Sequence, residues 1–273
     1  MSPLPLLTML ALAASPPSTS LPQAPTKLPD GELGEMVKLG KTLFEETGTH
    51  PLTRELVGNA LSCASCHPGA GARPRGSTMI GAAAAYPAWS PREKAVITLE
   101  DRVANCFMRS LNGVRPPAGS KASMAITAYI TWLSTGTPIG MNATGPYGPN
   151  ALPKLNVDTS KPSVEAGRTT FEAKCATCHG SDGQGDPTVW GPRSYNAGAG
   201  LAQVPRLASW LRVEMPPDGP PLTDEEAVNV AGFVDSHPRP DFVLRDHLPR
   251  TGRAEASASN VDDVRAPTLP PRS

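Results

Sequence analysis

The chain has 273 residues, 25 Lys and Arg against 25 Asp and Glu, a formal net charge of zero, 39% hydrophobic residues and only 5% aromatic ones. A balanced charge excludes the basic footprint of a nucleic-acid or anionic-membrane binder, and the apolar content is thin for conventional cores. The length accommodates one large domain or two of about a hundred residues each.

In chain order, residues 1–14 read as a signal peptide: Leu4 to Ala14 is a short apolar run ending in small residues, although no Lys or Arg precedes it. No later stretch has the roughly 18 uninterrupted apolar residues needed to span a bilayer. The expectation is an exported, soluble periplasmic protein with no transmembrane span in the mature chain.

Leu39-Gly-Lys-Thr-Leu-Phe-Glu45 and Ala166-Gly-Arg-Thr-Thr-Phe-Glu172 form a weak internal repeat. Each fits an opening helix whose Gly and aromatic permit a close crossing with the last helix of its domain. Cys63-Ala-Ser-Cys66-His67 and Cys175-Ala-Thr-Cys178-His179 both read C-x-x-C-H, 112 positions apart. Two thiols at this spacing reach the two vinyl groups of one porphyrin, and the following His supplies an axial nitrogen to its iron. A redox C-x-x-C needs no following His, and zinc wants four ligands per site. Two covalently attached haem c groups follow, and each would serve as part of its domain's core.

Thr98 to Gly113 reads as one helix, with Thr98 as N-cap, Asp101 at the third position and Gly113 as terminator. Arg102, Cys106 and Ser110, spaced i, i+4 and i+8, share one face of it. Ser123 to Ser134 reads as the last helix of the first domain. Residues 139–162, rich in Pro, Gly and Asn, read as a linker. Leu222 opens the last helix of the second domain, with Thr223 and Glu226 as a capping box. Residues 245–273 read as a disordered tail. The predicted architecture is all-α: two tandem class I cytochrome c-like domains, 31–138 and 163–244.

Met215, on a loop ahead of the last helix, is the expected sixth ligand of the second haem. The first domain lacks a counterpart, since the matching position is Leu111. Cys106 lies close by, where the cation Arg102 favours its thiolate; Met79, Met108 and Met124 remain competing ligands. Phe44 stands 19 positions before Cys63, but Phe171 only four before Cys175. The first domain therefore carries an insertion beside its haem, either a cavity wall or a neutral loop.

Several segments together resemble the dihaem thiosulfate dehydrogenases, which couple two thiosulfates into tetrathionate. They are Gly58 to Ser62, Thr98 to Gly113, Trp190-Gly-Pro192 with Ser194-Tyr-Asn196, Met215-Pro216, and Thr223 to Pro240. The resemblance implies that haem 1, held by His67 and Cys106, is catalytic and that haem 2, held by His179 and Met215, passes electrons on. It places Arg102 and Ser110 at the substrate pocket, with Arg109, Asn112 and Arg92 as weaker candidates. The mechanism expected on this basis is that Cys106 leaves the iron, bonds the outer sulfur of one thiosulfate as two electrons depart and is displaced by a second. The partners implied are thiosulfate or tetrathionate and a separate electron-acceptor cytochrome or similar redox protein. Two other readings stay open: a dihaem electron carrier without substrate chemistry, and a haem-thiolate sulfur-oxidation cytochrome that conjugates thiosulfate to a carrier protein.

Overall fold

The computed structural model describes residues 23–140 and 152–249; the signal-like run 1–14, the middle of the expected linker and residues 250–273 lie outside the described residues. The first half contains α1 (Gly31–Glu45), α2 (Cys63–Cys66), α3 (Leu99–Arg109) and α4 (Lys121–Leu133). The second contains α5 (Val164–Lys174), α6 (Ala176–His179), α7 (Val204–Glu214) and α8 (Asp224–Asp235), with short 3-10 turns between. No helix among the described residues is long and apolar enough to cross a membrane.

The repeat seen in the sequence has a steric purpose. A Cβ at Gly40 would lie 1.9 Å from the Ala125 carbonyl oxygen, and one at Gly167 would lie 2.0 Å from that of Asn229. In each half the first helix therefore crosses the last at backbone contact. Beside the crossings, Phe44 meets Tyr129 edge-on at 5.6 Å and Phe171 meets Phe233 at 5.4 Å.

Both capping boxes form. Thr98 caps α3 with Asp101 in return, and Thr223 caps α8 with Glu226. Thr223→Ala removes the acceptor for the Glu226 amide and is expected to cost about 1 kcal/mol. A thermal melt of the holoprotein should read this as a midpoint lower by about 2–4 °C. The stop of α3 differs from expectation: the helix ends at Arg109, Ser110 is the C-cap, and Asn112 takes the left-handed backbone with φ of 48°. Gly113 is needed for close approach, because a Cβ there would sit 2.0 Å from the Leu56 carbonyl oxygen.

The all-α architecture holds, with one small hairpin added to it. β1 (Ala88–Ser90) and β2 (Ala95–Ile97) pair antiparallel, Ala88 opposite Ile97, with Lys94 at φ 49° in the turn. Three-residue strands are too short to show an alternating pattern. The expected tail also begins too early. Phe242 is fully buried, and His247, stacked on it at 4.9 Å, pairs through Nδ1 with the Gly113 carbonyl at 2.6 Å. An aromatic pair inside a Pro- and Arg-rich run supplies the apolar area that seats residues 242–247 on the first half.

Two apolar cores form, one in each half, and they are not sealed from each other. Tyr195 and Ala199, from the second half, are buried within the first core. Leu152, Leu155 and Val157, from the end of the expected linker, pack on the second core.

Candidate active site at the domain interface

Each C-x-x-C-H motif presents its His in the same way. The Nδ1 of His67 lies 2.6 Å from the Ser77 carbonyl oxygen, and that of His179 lies 2.8 Å from the Pro187 carbonyl oxygen. A carbonyl only accepts, so Nδ1 must carry the proton, and Nε2 keeps its lone pair for a metal. Burial pushes the Cys63 and Cys66 thiols up to about 12 and Cys175 up to about 11. A redox dithiol or a zinc site needs thiolates at neutral pH, and these cysteines are set up in the opposite sense. Among the described residues, no group of three or more His, Cys, Asp and Glu is placed to hold a bare ion. The donor set, one free imidazole nitrogen beside two cysteines at C-x-x-C spacing, fits a covalently attached haem in each half.

On α3, Arg102 and Cys106 share a face as their spacing required. Arg102 Nη1 donates to Cys106 Sγ at 3.1 Å. The charge of Cys106 is the main reason that the Arg102 guanidinium is held well above its ordinary range. The same charge reaches Cys63 and Cys66, although burial dominates there. Cys106 therefore faces the first haem-attachment motif.

Around this thiol lies a cluster of cations. Arg109 is 3% exposed, and burial, with Arg92 adding to it, lowers its pKa to about 10. Its Nη1 donates to the Gly198 carbonyl at 3.4 Å, and its guanidinium lies over the Phe242 ring at 4.1 Å. Glu93 approaches Arg109 Nη2 only to 3.6 Å, beyond hydrogen-bond reach, so Nη2 and Nε have no hydrogen-bond partner. Arg92 donates to the same Gly198 carbonyl at 3.3 Å, and burial, then Arg102, lowers its pKa. Arg206 on α7 adds a further cation within reach of Arg92.

The remaining candidates are placed differently. Ser110 is half-buried, and its carbonyl accepts from Asn59 Nδ2 at 3.0 Å. Asn112 gives its side chain to the second half, where Asn196 Nδ2 donates to its Oδ1 at 3.0 Å. Met215 is half-buried at the end of α7 against the second core. Of the rival methionines, Met108 is 2% exposed, Met124 is 50% exposed, and Met79 packs on the first core and the Gly71 turn.

Three neighbours of the cluster were not foreseen from sequence: Glu93, Tyr86 and Arg206. Glu93 stands in the β1–β2 turn and accepts from Asn105 Nδ2 at 3.1 Å and from the Ser90 hydroxyl. Tyr86 lies within electrostatic reach of Arg102 and Cys106. The run Ser90-Pro-Arg-Glu-Lys94 between two short apolar stretches is the hairpin signal that could have drawn attention to Glu93.

A family model described as SoxA/TsdA, cytochrome c domain, matches residues 54–139, and one described as cytochrome C oxidase, cbb3-type, subunit III, matches residues 162–234. The chain is 36% identical over 249 residues to a thiosulfate dehydrogenase of Allochromatium vinosum, covering 86% of this chain and 90% of that one. The chain belongs to the thiosulfate dehydrogenase family. A second member, from Thiomonas intermedia, is 36% identical over 228 residues, covering 80% of this chain and 71% of the relative. The solved thiosulfate dehydrogenase (TsdBA) of Marichromatium purpuratum, in its as-isolated form, aligns with a TM-score of 0.77 at 35% identity. That match covers 90% of this chain, which spans about half of that one, 55%. The fold is thus a tandem pair of cytochrome c domains, and the cofactors are two covalently attached haem c groups.

Proposed function

We propose that this protein couples two thiosulfates oxidatively into tetrathionate and delivers the two electrons to a separate redox protein, in a reaction that can also run in reverse. Cys63 and Cys66 would attach haem 1 and Cys175 and Cys178 haem 2; His67 and Cys106 would hold the iron of haem 1, and His179 and Met215 that of haem 2. When bound, the haems supply one-electron acceptance, and two of them match the two electrons released per tetrathionate.

The observation that carries the reading is a thiol gripped by Arg102 at 3.1 Å beside a buried arginine, Arg109, whose Nε and Nη2 donate no hydrogen bond. Buried guanidinium N–H groups without a hydrogen-bond acceptor are costly even with the Glu93 carboxylate 3.6 Å away, and a small anion relieves the cost. An electron carrier without substrate has no use for such a cluster.

Two thiosulfate dianions resist meeting. Two unit charges 4 Å apart repel by about 4 kcal/mol at an effective dielectric of 20. Arg92, Arg102 and Arg109 offset this repulsion, and Cys106 lets the anions react one at a time. Its thiolate bonds the outer sulfur of the first thiosulfate with loss of two electrons, giving a Cys–S–S–sulfonate. The outer sulfur of the second thiosulfate then attacks the sulfur bonded to Cys106. The Cys106 S–S bond breaks, tetrathionate leaves, and the thiolate returns, so atoms and charge balance.

Purified holoprotein should reduce ferricyanide only when thiosulfate is present, with two electrons taken up per tetrathionate formed. Substrate-independent redox cycling without such turnover would favour the carrier reading. Arg92→Ala, which removes one cation from the rim and leaves the thiol in place, should raise KM for thiosulfate about tenfold, about 1.4 kcal/mol. Steady-state kinetics at fixed ionic strength checks this, since screening weakens such contacts. Covalent haem is attached outside the cytoplasm in bacteria, which supports a periplasmic location. Cell fractionation with haem staining tests it.

A further inference from the structure

The two proximal histidines are alike in their first hydrogen bond and unlike in what stands behind it. The carbonyl that receives His179 belongs to Pro187, a residue with neither an N–H nor a hydroxyl by which it could be gripped. The carbonyl that receives His67 belongs to Ser77, and Ser77 is gripped from the other domain. Glu214 Oε1 accepts both the Ser77 amide, at 3.2 Å, and the Ser77 hydroxyl, at 2.5 Å. Glu214 is 1% exposed, closes α7, and directly precedes Met215. Its other oxygen, Oε2, is buried with no hydrogen-bond partner.

The surroundings hold this contact in register. Trp210 Nε1, one turn earlier on α7, donates to the Cys66 carbonyl at 2.9 Å, and Arg75 Nη1 donates to the Val213 carbonyl at 3.4 Å. A Cβ at Gly76 would meet Leu152 at 2.8 Å and Val213 at 3.6 Å, so the loop before Ser77 lies flat against the second domain. The end of α7 thus touches the first haem motif on its His67 side, while Met215 continues into the second domain.

We infer that Glu214 is a positioning residue for haem 1: supplied by the haem 2 domain, it fixes Ser77 and through it the orientation and donor strength of the His67 imidazole. An outer carboxylate beside a ligating His strengthens the imidazole as a donor and favours the more oxidised metal. A half-satisfied buried carboxylate is expensive if it serves only to glue two domains, because neutral groups would do so at lower cost. Among the described residues no carboxylate hydrogen-bonds Pro187 as Glu214 does Ser77, so the device acts on haem 1. This inference rests on His67 holding haem 1 and is independent of the substrate.

The test uses Glu214→Gln, which keeps an acceptor and removes the charge, and Ser77→Ala, which removes the hydroxyl link from the opposite domain. Both holoproteins are titrated anaerobically without thiosulfate, following the visible bands and the ferric low-spin resonance of each haem. Glu214→Gln should shift the haem 1 ferric/ferrous equilibrium about tenfold towards ferrous, about 59 mV for a one-electron couple. Ser77→Ala should shift it in the same direction by less and leave haem 2 at its wild-type potential. If both variants melt earlier but leave the haem 1 potential and resonance unchanged, Glu214 only docks the domains and the inference fails. It fails equally if only haem 2 moves. Because no assay with thiosulfate enters, its failure is separable from failure of the proposed activity.

Discussion

Cys106→Ala should fold with both haems attached and lose thiosulfate-dependent turnover by at least about a thousandfold, about 4 kcal/mol of barrier. The alanine keeps the α3 backbone and its Thr98–Asp101 capping box and removes only the sulfur held by Arg102. Cys63, Cys66, Cys175 and Cys178 lie outside α3, so haem attachment is untouched and serves as the internal control for folding. The check is haem content by pyridine haemochrome alongside kcat. Wild-type turnover in Cys106→Ala, with both haems present, would remove the thiol from the chemistry. An intermediate loss would leave the arginines carrying most of the effect.

Gly167→Ala should be the most damaging single methyl in the second domain. The added Cβ would sit 2.0 Å from the Asn229 carbonyl oxygen and 2.8 Å from the Phe233 Cβ, against backbone that cannot swing aside as a side chain can. Separating α5 from α8 loosens the Phe171–Phe233 contact and the Trp190 packing behind it. The expected cost is about 3 kcal/mol, at the upper end of overpacking effects. Thermal denaturation followed at the haem bands should show a midpoint several degrees lower, with the haem 2 bands affected first. A midpoint within a degree of wild type would mean that the two helices do not depend on this crossing.

How much of this was legible in the sequence depended on how local each feature is. The haem motifs, both capping boxes and the crossing glycines depend on residues a few positions apart or on an internal repeat, and they read directly. Arg102 and Cys106 meet because i and i+4 on a helix must. The end of α3 was misplaced by three to four residues because Asn112, rather than Gly113, takes the left-handed turn. The surroundings of Cys106 were largely hidden. Arg109 is defined by Gly198 and Phe242, Asn112 by Asn196, and Ser77 by Glu214, and each of these contacts joins residues more than 80 positions apart. Such pairings are set by how two domains dock, which no local pattern encodes. Asn112 illustrates the difference: its place in the motif gave no sign that its Oδ1 accepts from Asn196 of the other half.

The docking also revises the symmetry of the two halves. Twin motifs suggest twin haems, yet the His67 carbonyl partner Ser77 is held by a carboxylate from the other half. His179 is backed by a proline carbonyl.

The most direct test of the central claim, that the sulfur–sulfur bond is made on Cys106, is a rapid-quench experiment. With Cys63, Cys66, Cys175 and Cys178 proposed as the haem thioethers, Cys106 is the one of the five cysteines left as a free thiol. Oxidised holoprotein is mixed with one equivalent of thiosulfate, quenched under acid, digested and analysed by mass spectrometry. A thiosulfonate adduct should appear on the Cys106 peptide and disappear when a second equivalent is added and tetrathionate is released. Full turnover with the Cys106 peptide unmodified at every time point would contradict the claim.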